Sequence, residues 1–289
     1  MANNITLFSQ VVPMLDEVYT ASSKSAVLDG NQELVRAGAN ANELVIPKIS
    51  MDGLADYSRN GGYVGGDVTL TNETVVCNFD RGRMFVIDQM DNEETAGVAF
   101  GMLAGEFIRT KVVPELDAFR FAKYAQAENV SVEEGVLADG EAVLSALRAA
   151  ANDLDLNEVP AEDRYLFITP ALLGMVEDLD TTKSRSALNR FTQVVTVPQG
   201  RFYTNIKLKS GQNGETDGGF AKAEDGSDIN FMVVQKNAVI QFTKHAAPKV
   251  VSPDKNPDAD AWKFGYRQVG IADVYENKVA GIYVHHKGE

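Results

Sequence analysis

Side chains that could do acid–base, nucleophilic or metal chemistry are few and scattered along this sequence. Three histidines, His245, His285 and His286, and one cysteine, Cys77, are the whole stock of imidazole and thiol in 289 residues. His285 and His286 adjoin in a strand-like run, where neighbouring side chains point to opposite faces, so they are not placed to share a metal. His245 follows Lys244 in another such run and reads as an exposed or core-satisfied imidazole. A single cysteine excludes an intramolecular disulfide framework and any multi-cysteine zinc site, and the setting of Cys77 is that of a buried strand thiol. Asp258 and Asp260 flank Ala259 in a polar loop that could attract a cation, although a solvated turn is the simpler reading. Glu177, Asp178 and Asp180 read as surface charge at a helix end. The sequence contains no G-x-S-x-G, G-x-x-x-x-G-K-[ST], G-x-G-x-x-G or H-E-x-x-H pattern. No catalytic, cofactor or metal site is therefore expected.

What remains to be explained is a stretch with a different vocabulary, "GLADYSRNGGYVGGDVTLTNETVVCNFDRGRMFVID", residues 53–88. Four glycines at 61, 62, 65 and 66, beside Asn60 and Asp67, predict a turn or flexible tip, and the Val/Thr-rich run that follows predicts a strand. With "ELVIPKI" at 43–49, a strand whose Pro47 favours an edge, this makes a long hairpin. A two-stranded hairpin is marginal alone in water, so it needs a sheet beneath it or another molecule across it.

The elements around the hairpin follow from periodicity. Residues 8–19 carry a short apolar-periodic piece, and 36–43 have no packing pattern, so the N-terminus reads as an arm. Residues 91–127 predict one long helix, opening on Asp91, Glu93 and Glu94, where a helix N-terminus favours negative charge. Phe100, Leu103, Phe107, Leu116, Phe119 and Ala122 form its apolar stripe, and Pro114 predicts a bend or restart near Val113. Gly97, Gly101 and Gly105 fall on one face, where close packing is expected. Charges at Glu106, Arg109 and Lys111 exclude a membrane helix there. A second helix follows Asp139, with Val143, Leu144, Leu147, Ala151 and Leu154 inward. Strands and helices then alternate to residue 235 as an α/β block, interrupted by a Gly/Asp-rich excursion at 209–228. Strands near 239–244, 262–275 and 278–285 return to pair with the early ones and the long helix. The net charge of −14 argues against a dedicated nucleic-acid binder, no signal peptide is evident, and no stretch has membrane-spanning length.

Several long strings, "LVIPKISMDGLADYSRNGGYVGGDVTLT", "NFDRGRMFVIDQMDNEETAG", "RTKVVPELDAFRFA", "VPAEDRYLFITP" and "DADAWKFGYRQVGIADVYENKVAG", resemble tailed-phage major capsid proteins of the Hong Kong 97 type. The resemblance spans nearly the whole chain. It implies an α+β capsid fold divided into an N-terminal arm (1–45), an E-loop hairpin with flanking strands (46–90), a peripheral P-domain spine helix (91–133), an axial A domain (134–239) and P-domain C-terminal strands (240–289). It further implies self-assembly into hexamers and pentamers of an icosahedral shell enclosing double-stranded DNA, in a virion assembled in the bacterial cytoplasm. Expected partners are other copies of the chain, a separate scaffolding protein, a portal, decoration proteins, and DNA touched weakly and without sequence preference, which an acidic subunit permits.

In that setting the hairpin lies across a neighbouring subunit. Tyr57, Arg59, Tyr63, Arg81 and Arg83 would face it, and Arg59, Arg81 or Arg83 could pair with Glu93, Glu94 or Glu106 of the neighbour. The sequence departs from relatives that crosslink an E-loop lysine, because no lysine occurs between Lys48 and Lys111, so a non-covalent lattice is expected. Two other readings remain at this stage: an encapsulin-type nanocompartment shell of the same fold, and a cytosolic α/β enzyme or ligand-binding protein.

Overall fold

Alternating apolar residues become strands in four separate sheets of the computed structural model, which describes residues 23–30, 36–37, 43–59, 61–90 and 104–288. Residues 8–19, Asn60, residues 91–103, on which the expected start of the long helix with Glu93, Glu94, Gly97, Phe100, Gly101 and Leu103 falls, and the side chain of His245 lie outside the described residues, so one unbroken helix from 91 is not seen.

The first sheet is the hairpin. β1 (Arg36–Ala37) pairs over two residues with β2 (Glu43–Met51), which pairs antiparallel with β3 (Val68–Val76) from Glu43↔Val76 to Met51↔Val68. Among the described residues β1 reaches Leu44 and Val45, and at Pro47 β2 is flanked by β3 alone, an edge setting that suits a residue without an N–H. β4 (Phe79–Asp88) continues from the hairpin root into a different sheet. A π-helical turn at Ile108–Val112 then runs directly into α1 (Val113–Ala125), which has Pro114 in its first turn. The expected irregularity before Pro114 is thus a turn of wider pitch, where the missing proline donor is tolerated.

β5 (Ser131–Glu134) leads to α2 (Gly140–Leu156), capped where Asp139 Oδ1 accepts from Ala142 N at 2.8 Å. β6 (Arg164–Ile168), α3 (Pro170–Glu177), α4 (Thr182–Leu188) and β7 (Gln193–Thr196) follow. The Gly/Asp-rich excursion is a small hairpin of β8 (Ile206–Leu208) and β9 (Phe220–Lys222). β10 (Ile229–Gln235), β11 (Val239–Val251), β12 (Ala261–Val274) and β13 (Ile282–His286) complete the chain.

The five-stranded sheet, in order β5-β13-β10-β6-β7, is the centre of the α/β block. Every residue of β10 is buried. Leu166, Ile168, Phe231 and Val233 face α2 and α3, whereas Phe167, Met232 and Val234 face Phe121 and Tyr124 of α1. Full burial of each such side chain contributes ~1.5–3 kcal/mol, so the sheet and its two helical layers form the main core. The three-stranded sheet β11-β12-β4 joins the C-terminal strands to the hairpin root, with Phe79↔Gly270 through Asp88↔Ala261 in unbroken register. Its inner face packs Phe264 and Tyr266 against Ala104, Ile108 and Val113 of the helix. The return of the late strands to the early ones is therefore seen for β12, which pairs with β4, while β11 joins that sheet through β12. β13 goes elsewhere: it pairs with β10 and β5, placing the final strand in the sheet of the α/β block. β11 also runs past Lys244 to Val251, carrying Pro248 on the open edge of its sheet.

The segment 23–30 is fastened by a buried polar network that periodicity did not indicate. Asp117 is fully buried in α1 and accepts hydrogen bonds from Ser23 Oγ, Lys24 N, and Ser25 N and Oγ, as well as from Arg201 Nη1 at 3.1 Å. One turn on, Arg120 donates to Ser25 Oγ at 2.9 Å and Thr243 Oγ1 at 3.2 Å and pairs with Asp29 at 3.3 Å. Gln241 accepts from Tyr124 Oη and donates to Ser25 O and Asp29 Oδ1, each at 2.7 Å. Four parts of the chain thus meet on one helix face, each satisfying the others' buried groups.

Candidate assembly interface

The hairpin places large apolar side chains in solvent. Met51, Leu54, Tyr57, Tyr63, Val64, Val68 and Leu70 are all more than half exposed, Leu54 and Tyr63 almost wholly so. Among the described residues, the body of the protein packs on the hairpin at its root, where Val75 and the half-buried Cys77 meet Ile240 and Ile271. The tip, 52–67, is nevertheless shaped. Asp52 Oδ2 accepts from Asp67 N at 2.9 Å, Ser58 and Gly62 form an antiparallel bridge, and Gly62 alone of the four tip glycines has positive φ, at 77°. That small turn sets the rings of Tyr57 and Tyr63 4.9 Å apart, as a tilted pair.

The expected interface residues separate into two groups. Tyr57, Arg59 and Tyr63 stand exposed on the tip, and Arg59 makes no hydrogen bond or ion pair among the described residues. Arg81 and Arg83, by contrast, are engaged within their own chain at the root. Arg81 Nε bonds Glu115 Oε1 of α1 at 2.7 Å and Nη2 reaches Gly219 O, while Arg83 donates to Thr216 O and Asp217 O. Glu106 is paired with Arg109 three residues on, at 2.7 Å. A Cβ added to Gly105 would meet nothing within 4 Å, so no close approach exists at that glycine in the described chain.

Arg81 and Arg83 instead tie the 209–219 excursion to the hairpin root, a role their spacing in sequence does not signal. Gly218, at φ 64°, lets the backbone pass so near that a Cβ would lie 2.9 Å from the Arg83 guanidinium. The excursion is braced from within by Glu215, whose carboxyl is held down at about 2 by hydrogen bonds from Lys207 and Ser210. Between β4, the π-helical turn and this excursion lies a cleft of about 1170 Å³.

Groups with possible chemistry elsewhere are absorbed structurally. His285 is buried, stacks on Phe231, and has Nδ1 3.0 Å from Asn230 Nδ2; burial lowers its pKa. His286, on the other face, bonds Lys287 O. Tyr283 Oη donates to Glu133, and its pKa is raised by burial and by that carboxylate. Asp258 pairs with Lys263, and its N–H donates to Asn256 Oδ1 in a local turn. Among the described residues, no three metal-type side chains gather and no helix is long and apolar enough to cross a membrane.

The architecture, with its exposed hairpin, has counterparts among solved structures. The capsid structure of cyanophage P-SCSP1u superposes with a TM-score of 0.53 at 14% identity, covering 88% of this chain and 86% of that one. The capsid structure of Staphylococcus phage Andhra gives 0.54 at 11%, covering 91% and 83%. The fold is that of phage capsid proteins. A virus-like particle from Pyrococcus furiosus shares it, with a TM-score of 0.59 at 10% identity over 96% of this chain and 99% of that one. No family model and no curated protein sequence matches the chain.

Proposed function

We propose that the chain is a major capsid protein, a non-enzymatic building block of an icosahedral shell that encloses double-stranded phage DNA. The observation that carries this reading is the hairpin: about seven large apolar side chains stand in water on an arm with no core of its own, attached to a protein of capsid fold. Copies of one chain that exchange such arms head to tail make a heterologous contact, and heterologous contacts close into rings when the rotation permits. Hexamers and pentamers are those rings here. The contact is non-covalent, since the hairpin beyond Lys48 offers no amine. Arg59 is the tip cation left to meet a neighbour's carboxylate, such as Glu93 or Glu94. A scaffolding protein, a portal and decoration proteins would complete the particle, whose net-acidic subunit would hold DNA weakly.

A second reading, an encapsulin-type compartment, is favoured by the likeness to the Pyrococcus particle over nearly the full length of both chains. The deciding experiment is negative-stain microscopy with light scattering on purified protein, followed by analysis of particle contents after nuclease treatment. Closed shells or rings support the shell reading, protected DNA selects the capsid and enclosed protein the compartment. A lasting monomer under crowding and with a candidate scaffold refutes both.

A further inference from the structure

Gly135, the first residue after β5, is held against the central sheet by its whole backbone. Its N–H donates to His286 O at 3.0 Å, its carbonyl accepts from Asn230 Nδ2 at 3.1 Å, and a Cβ added to it would stand 3.7 Å from Cε1 and Nε2 of His285. The turn thus lids the imidazole edge. Asn230 and His285 are each 3% exposed, and the Asn230 Nδ2 that serves Gly135 also stands 3.0 Å from His285 Nδ1. That shared nitrogen decides the tautomer. A carbonyl oxygen can only accept, so the amide atom facing Gly135 O is the NH2, and the imidazole nitrogen beside the same NH2 must accept as well. His285 is therefore neutral, with its proton on Nε2.

We infer that His285, Asn230 and Gly135 form an acid-opened latch on the turn 135–139, which joins the edge strand β5 to the start of α2. A proton on Nδ1 sets a donor against the Asn230 donor, and turning the amide over only moves the conflict, because Oδ1 then faces Gly135 O. Neither orientation serves imidazolium and carbonyl together. Protonation therefore releases Gly135, and the turn lifts from the ring. The charged groups around the ring are few. Glu133 of β5, in register with His285, favours the imidazolium while accepting from Tyr283 Oη, and His286 on the same strand disfavours it, with Glu134 opposite His286 in register. β10 offers Asn230 and Phe231, the latter stacked on the ring at 5.1 Å, and neither titrates. From α2, Asp153 acts on Tyr283, and Asp139 at the end of the turn caps the helix by accepting from Ala142 N. Beyond the strand end Asp228 is paired with Lys222 and Lys287. Burial is the largest influence on the ring and favours its neutral form; once the turn lifts, water reaches the imidazole and its pKa returns toward 6.5. The latch lies within one subunit, so it operates whether or not the chain assembles.

The test is hydrogen exchange of the full chain about one pH unit above and one below 6.5, with rates corrected for the chemical effect of pH. Because the opened state takes up a proton that the latched state resists, opening of the 135–142 amides should rise by up to about tenfold at the lower pH. Those amides should also stay far less protected than the β6 amides 164–168 at both. His285→Phe keeps a ring on Phe231 without a titrating nitrogen and should give one rate at both pH values, whereas His286→Gln should keep the rise. No rise in the parent, an equal rise in His285→Phe, or protection of the turn equal to that of β6 overturns the latch. Long-range proton–nitrogen NMR of the histidine rings needs no variant to fold: a proton on His285 Nδ1 at the higher pH overturns it too, and one on Nε2 is expected.

Discussion

Asp117 is a charge that sequence periodicity would leave on a helix surface, yet it is completely buried under five hydrogen bonds. Replacing it with alanine would strand those donors and leave the Arg201 guanidinium without its carboxylate. A loss of ~3–5 kcal/mol is expected, read as a lower urea midpoint at unchanged slope. His285 supplies a pH-dependent counterpart. Its folded-state pKa lies below the ordinary 6.5, chiefly because burial penalises the imidazolium, so the unfolded chain binds the extra proton first as pH falls. Stability should therefore decline as pH drops below 6.5, and His285→Gln should flatten that part of a melting-temperature profile. Neither residue could be assigned its role from the chain alone. The partners of Asp117 are 84 to 94 residues away, and a lone imidazole in a strand has the same local pattern whether buried or exposed.

Among the elements, those whose pattern is local were legible and those defined by distant contacts were not. The hairpin, the Asp139-capped helix α2 and its stripe Val143, Leu144, Leu147, Ala151 and Leu154 follow from alternation, capping and helical spacing, and all five stripe residues are buried. The placement of β13 in the central sheet was not legible, because any of several apolar strands could have been its partner. Nor was the clamp of Arg81 and Arg83 on the 209–219 excursion, which depends on two loops meeting in space. Gly140 shows the same limit at a helix junction. Read locally it is a weak helix former, but a Cβ there would lie 2.3 Å from Met175 O and 3.1 Å from Leu179 Cγ. Gly140→Ala should push α3 from the start of α2 and cost ~1–3 kcal/mol of stability, despite the better intrinsic propensity of alanine. A thermal midpoint at or above that of the parent would show that the junction yields without penalty.

At the scale of the whole molecule, the core that holds the subunit and the proposed assembly contact lie in different parts of the chain. Apart from the half-exposed Gly62, every described tip residue between 52 and 67 is exposed, and among the described side chains of the hairpin the buried anchor is Val75 at its root. Removing 53–66 and closing β2 onto β3 with a two-residue turn deletes no core side chain, no member of the Asp117 network and no strand of the other three sheets. Loop shortening changes closure entropy only slowly with length, so the subunit should melt within a few degrees of the parent. Assembly should respond oppositely. The same deletion removes the exposed side chains of Leu54, Tyr57, Tyr63 and Val64, and with them the proposed head-to-tail contact. The expected product is a stable, soluble subunit that forms neither rings nor shells in light scattering. Shells of normal yield from the shortened chain would move the assembly contact away from the tip, to the paired strands of the hairpin or to the body of the subunit.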